Sequence, residues 1–198
     1  SPTSGKFFRA FVLTLCLSLV VPFFNTINVF AATEPQIMGQ SAITMDLDTG
    51  EIIYSKNADE QRSPASTTKL LTSLLFAENK NKDDLIPYTE NSVSLRETTL
   101  NNFIGNTAQP GDTLTANEVM DAVMVYSAND AAVMMAESVS GSVEKFTELM
   151  NQRAKELGAV NTNFVNPNGL EIDANNHNVT TAYDLALIAK AAYENDWV

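Results

Sequence analysis

The sequence predicts a mixed fold, α/β in the broad sense and α+β in detail: one β-hairpin followed by a run of helices. Three observations carry that expectation. Short β-prone runs flank a turn at Asp48-Thr49-Gly50. Beyond residue 63, apolar residues recur at helical spacing in successive segments. A hydrophobic content of 44% against 18% charged, over 198 residues, is enough for one ordinary domain and too rich for a disordered chain.

The elements follow in order. Ser41 to Asp46 and Glu51 to Ser55 read as a hairpin, with Ile43, Met45 and Leu47 alternating ahead of Ile52, Ile53 and Tyr54. Ser63-Pro64 before Leu70, Leu71, Leu74 and Leu75 reads as a helix cap, a first-turn proline and an apolar face. Residues 81–115, with Pro87, Gly105, Pro110 and Gly111, read as loop. Thr115 to Tyr126 carries Val119, Met120, Val123 and Met124 at helical spacing. Further helices are expected over Asn129–Val139, Ser142–Leu157 and about Thr180 to Tyr193, the last after the loop Asn166-Pro167-Asn168-Gly169. Met120, Met124, Met134 and Met135 are expected in the core. A lone two-stranded sheet is marginal in water, so more strands are expected beside the hairpin.

The first residues do not belong to this fold. Lys6 and Arg9 precede an apolar run from Ala10 to Phe24, and Val29, Ala31 and Ala32 supply a small-residue exit. That pattern is a secretory signal peptide over residues 1–31, leaving residues 32–198 as the folded part on the outer side of the cytoplasmic membrane. An uncleaved membrane anchor is the alternative, but the apolar core falls short of the ~20 residues a spanning helix needs. Cys16 lies inside this segment, so the exported part has no cysteine.

Charge and composition exclude other classes. Twelve basic against 24 acidic residues give a net charge of -12, the wrong sign for binding nucleic acid. One cysteine and one histidine cannot build a disulfide framework or a zinc site, and neither metal nor cofactor is expected. Asp46-Leu47-Asp48-Thr49-Gly50 lacks the further ligands of a calcium loop and reads as turn chemistry.

The chemistry lies elsewhere. Ser66-Thr67-Thr68-Lys69 sets a hydroxyl and an amine three residues apart, on one face of a helix. If Ser63 caps that helix, Ser66 falls in the first turn, where free N–H groups and the helix dipole favour developing negative charge. Burial and the same positive end would lower the lysine pKa and let it act as a neutral base for a serine nucleophile. Spacing alone favours the plainer reading, a polar first turn with a surface lysine. Ser142-Val143-Glu144-Lys145 has the same spacing, and there Ser142 reads as a cap and Lys145 as a solvated charge. Ser127-Ala128-Asn129, between two expected helices, offers a hydroxyl for proton relay and an amide to hold a carbonyl or orient the lysine. Ser55-Lys56-Asn57 matches that pattern too, at a strand end. His177, the sole histidine, sits among Asn175, Asn176 and Asn178 and is read as non-catalytic, although Asp173 and Asp184 lie nearby in sequence.

Four segments agree in sequence and order: Pro64–Lys69, Tyr126–Ala132, Asn163–Leu170 and His177–Ala186. On these, the chain from about Pro35 to Val198 resembles the serine-type D-alanyl-D-alanine carboxypeptidases, the low-molecular-mass penicillin-binding proteins of bacterial cell-wall metabolism. The resemblance implies a β-lactamase/penicillin-binding transpeptidase-like fold. It implies Ser66 as the acylated nucleophile, Lys69 as its base, Ser127 in proton delivery and Asn129 in positioning. The implied partners are peptidoglycan stems ending in D-Ala-D-Ala, and β-lactams that mimic them. The family also has a Lys-Thr-Gly triplet on a strand that closes the cleft, and no such triplet occurs in these residues. The expectation is therefore a C-terminally truncated copy, missing sheet strands and inactive by itself, since even one lost oxyanion donor costs ~2.7–4 kcal/mol of barrier. Membrane attachment through a C-terminal amphipathic segment is a further family habit, and no such segment lies within these residues. Two alternatives stay open. A class A-like β-lactamase would need a deacylating glutamate, for which Glu171 is the candidate, and a non-catalytic penicillin-binding or wall-binding module would need only the cleft.

Overall fold

A computed structural model describes residues 34–171 and 173–198. The expected signal peptide, residues 1–31, lies outside them. Strands β1 (Ala42–Met45) and β2 (Ile52–Lys56) pair antiparallel, with Ala42 opposite Lys56 and a bulge between Thr44 and Met45. Their turn is tied locally: Asp46 Oδ1 accepts from the N–H groups of Asp48 and Thr49 and from Thr49 Oγ1, and Gly50 takes φ +74°. An aspartate closing its own turn is the expected Asx chemistry.

Helix α1 (Lys69–Asn79) follows a 3-10 turn over Ala65–Thr68. Here the expectation of an α-helical first turn capped by Ser63 is corrected. Pro64 occupies the cap position with no side-chain cap bond, and Ala65 is forced to φ +47°. Residues 81–115 are also more ordered than expected. They contain β3 (Leu85–Pro87) paired antiparallel with β4 (Thr113–Thr115), and two short helices, α2 (Glu90–Ser94) and α3 (Leu100–Phe103). Helices α4 (Ala116–Met124), α5 (Asn129–Ser140), α6 (Val143–Glu156) and α7 (Ala182–Tyr193) complete the order close to their expected limits.

Ile37–Val198 form one compact unit. Helices α1 and α5 pack together at its centre, with α4, α6 and α7 around them. On one side Phe76, Ile86, Val119, Met120, Met134 and Met135 are buried together, and on the other Leu71, Leu75, Phe146, Met150, Phe164 and Ile188. Val139 packs against both sets. Of the four methionines expected in the core, Met124 is 39% exposed instead, because α4 ends there. Trp197 docks the last residues by ring contact with Phe76 and an indole N–H donated to Asn117 Oδ1 at 3.2 Å.

The entry to α4 is a reciprocal cap. Thr115 Oγ1 accepts from Glu118 N at 3.2 Å, and Glu118 Oε2 accepts from Thr115 N at 2.8 Å. Thr115→Ala removes one half of it and is expected to cost about 1 kcal/mol, a fall in thermal midpoint of roughly 2–4 °C by calorimetry.

Candidate active site

Ser66 and Lys69, three residues apart, lie on one face of the 3-10 turn, where such residues eclipse. Lys69 Nζ lies 3.2 Å from Ser66 Oγ. Its other two contacts are Asn129 Oδ1 at 2.8 Å and the backbone carbonyl of Asn168 at 2.7 Å. Ser66 is exposed, whereas Lys69 is 3% exposed. Burial pushes the amine down to about 8.

This geometry suits a neutral amine. A neutral amine has two hydrogens and one lone pair. With Asn129 Oδ1 and the Asn168 carbonyl accepting the two hydrogens, the lone pair is left for the Ser66 hydroxyl. The Ser66 N–H has no acceptor among the described residues, as expected at the start of a turn.

Asn129 opens α5, and its placement is over-determined. Its Nδ2 donates to the Glu97 carbonyl at 2.7 Å and its N–H to the Thr98 carbonyl at 2.8 Å. Asp130, fully buried, accepts from the N–H groups of Leu100 and Asn101, so the adjacent side chain fixes the same loop. Ser127 sits just before this helix with φ +62°, a left-handed conformation usually given to glycine, and it turns the chain from α4 into α5. Its hydroxyl makes no hydrogen bond among the described residues. The structure thus joins Ser66 and Asn129 through Lys69, and Ser127 bonds to none of them.

The remaining motif residues separate as expected. Ser142 Oγ accepts from Lys145 N as a helix cap, and Lys145 is exposed. Lys56 Nζ donates to the carbonyls of Ile37 and Gly39, away from this site. Asp184 Oδ2 accepts from Asn161 N and Thr162 Oγ1, and Asp173 Oδ1 from the N–H groups of Asn175 and Asn176, so neither carboxylate meets His177. Asn168 was not a candidate. It contributes a main-chain carbonyl, for which no side-chain pattern exists, and only the Asn-Pro-Asn-Gly turn marked its neighbourhood.

A serine hydroxyl facing a desolvated lysine amine, with an amide and a carbonyl steering that amine, defines the active-serine class in which an amine takes the place of imidazole. Comparison with known proteins agrees. A family model described as D-alanyl-D-alanine carboxypeptidase matches residues 28–197. D-alanyl-D-alanine carboxypeptidase DacF of Bacillus subtilis is 38% identical over 156 residues, covering 76% of this chain and 38% of that protein. A D-alanyl-D-alanine endopeptidase of Escherichia coli is 32% identical over 194 residues, covering 94% of this chain and 60% of that protein. Among solved structures, the carboxypeptidase DacD of Francisella tularensis aligns with TM-score 0.74 and 34% identity, over 88% of this chain and 43% of that one. Penicillin-binding protein D2 of Listeria monocytogenes in its ampicillin-bound form aligns with TM-score 0.70 and 27% identity, over 82% of this chain and 65% of that one. The chain belongs to the D-alanyl-D-alanine carboxypeptidase family. It spans less than two thirds of the length of these relatives.

Proposed function

We propose that this chain serves a serine-type D-Ala-D-Ala carboxypeptidase that trims peptidoglycan stems outside the cytoplasmic membrane. Ser66 Oγ attacks the carbonyl between the two terminal D-alanines while Lys69 takes its proton. The Ser66 N–H faces the oxyanion, and Asn129 holds the lysine and the substrate amide. The C–N bond then breaks, and the leaving D-alanine amine receives a proton passed from Lys69 through Ser127. Water hydrolyses the ester and restores the hydroxyl. A β-lactam would enter the same way, as the Listeria relative's ampicillin-bound form suggests, its ring opening onto Ser66.

The single observation that supports this reading most is the Lys69 amine, buried and 3.2 Å from an exposed serine hydroxyl. The β-lactamase alternative has less support: Glu171 is exposed and makes no hydrogen bond among the described residues. Intact-mass analysis of the full-length protein after incubation with a penicillin is the test. A persistent stoichiometric adduct mapped to Ser66, together with D-alanine release from a pentapeptide, is the expected result. Rapid penicillin turnover would favour the lactamase. An adduct without D-alanine release would favour a binding module, and absence of any adduct would refute the nucleophile.

A further inference from the structure

We propose that Asn178 is a positioning residue for this site: its buried amide clamps the segment carrying the Asn168 carbonyl onto the turn that carries Lys69. The inference rests on the proposed function and adds to it a residue outside the reacting groups.

Asn178 is 2% exposed, and every hydrogen-bonding capacity of its amide is used. Its Oδ1 accepts from Val165 N at 2.7 Å and Asn166 N at 3.2 Å. Its Nδ2 donates to Asn166 Oδ1 at 3.0 Å and to Thr68 Oγ1 at 3.3 Å. Thr68 is the residue before Lys69. Asn166 continues the clamp, accepting from Gly169 N at 2.8 Å and donating to the Leu170 carbonyl at 2.7 Å. Thr72, one turn along α1, donates to the Pro167 carbonyl at 2.7 Å. Residue 168 is therefore bracketed on both sides, and its carbonyl has one place to be: 2.7 Å from Lys69 Nζ.

The consequence is chemical as well as structural. The groups bonded to the amine are all neutral (Ser66, Asn129 and the Asn168 carbonyl). Asp130, next to Asn129 in the chain, has its carboxylate occupied by the N–H groups of Leu100, Asn101 and Ala131. Exclusion of water, to which the 166–169 segment contributes, thus disfavours the ammonium form and leaves a usable fraction of the amine neutral near neutral pH. Loosening the clamp admits water, favours the ammonium form, and frees the lone pair from its aim at Ser66.

Asn151 supplies the control. Its amide brackets Phe164 in both directions, accepting from the N–H at 2.7 Å and donating to the carbonyl at 2.8 Å, but it is anchored on α6 and does not bond to the Lys69 turn. The experiment measures the rate constant for acylation of the full-length protein by a fluorescent penicillin between about pH 6 and 10. Asn178→Ala is expected to acylate roughly tenfold more slowly at neutral pH, with the acid-limb midpoint raised by about one pH unit. Asn151→Ala is expected to lose thermal stability and keep the wild-type midpoint. Thr68→Val, which removes one bond of the clamp, should move the midpoint in the same direction by less, and it decides the matter alone if Asn178→Ala does not fold. An unmoved midpoint in the folded variants, or an equal shift in Asn151→Ala, overturns the proposal while leaving Ser66 as nucleophile. A wild-type protein that is not labelled overturns the proposed function and this inference together.

Discussion

Lys69→Met is expected to slow acylation of Ser66 by ~10²–10⁴-fold, the usual worth of a positioned general base. Methionine keeps the length and apolar bulk of the side chain and cannot accept a proton. Lys69→Arg is expected to be no rescue, because the guanidinium stays protonated and would add a second buried donor plane where only two acceptors and one hydroxyl wait. A second-order rate constant for penicillin labelling near the wild-type value in either variant would remove Lys69 from the mechanism. With the amine at about 8, about a tenth of the wild-type molecules carry the neutral form at pH 7, so labelling should accelerate as pH rises toward 8.

The same substitution has a stability signature. The folded amine, held at about 8 by burial, binds its proton less tightly than the unfolded chain, whose lysine titrates near ~10.4. The unfolded state therefore binds more protons between those values, and wild-type stability rises with pH across that window. Below pH ~8 the burial cost is present in full, about 3 kcal/mol for a shift of this size. Lys69→Met abolishes this slope. It does not return the whole 3 kcal/mol, because Asn129 Oδ1 and the Asn168 carbonyl each lose a donor, at ~1–3 kcal/mol apiece. Thermal midpoints of both proteins from about pH 7 to 9.5 stay below the range where Tyr88, pushed up to about 12 by burial and by Asp130 and Asp112, begins to destabilise the fold. A wild-type slope equal to the variant's would contradict the buried-base description.

The side chains proposed for the chemistry are legible in the sequence, and the main chain that supports them is not. Ser66, Lys69 and Asn129 stand out because Ser-x-x-Lys and Ser-x-Asn occur together in segments that agree in order with the carboxypeptidases; either spacing alone recurs elsewhere, at Ser142–Lys145 and Ser55–Asn57. Helices α4 to α7 were found because eight or more residues give periodicity room to show. The second sheet was missed for the opposite reason. Leu85–Pro87 and Thr113–Thr115 are three residues each, too short to alternate visibly, and a proline sits in one of them. The 3-10 turn at Ala65–Thr68 was missed because Pro64 reads as a normal first-turn residue; nothing in the sequence announces that Ala65 takes φ +47°. Asn166 and Asn178 fall in segments that carry the resemblance, but no spacing marks their amides as the support beneath Lys69.

Gly169→Ala is expected to be the most damaging alanine substitution among the described glycines. Gly169 has φ +86°, which already costs an L-residue ~1–3 kcal/mol. A Cβ there would fall 1.9 Å from the Ala65 carbonyl oxygen, 2.4 Å from its carbon and 3.0 Å from Ser66 N. These are backbone atoms, so no side chain can rotate away. Either the Ala65–Ser66 peptide retreats, carrying the nucleophile and its free N–H, or residues 168–169 retreat, carrying the carbonyl that steers Lys69. Both moves pull apart groups that must meet within about 3 Å, and a displacement of ~1 Å is worth ~10²-fold in rate. The expected outcome is a folded protein with a lowered thermal midpoint, acylated at least ~10²-fold more slowly. Gly105→Ala, at φ +84° with no atom within 4 Å of the added carbon, separates the two contributions. It carries the conformational cost alone, and should lower the midpoint while labelling at close to the wild-type rate. Equal labelling rates for the two variants would show that the 169 backbone does not press on the nucleophile's turn.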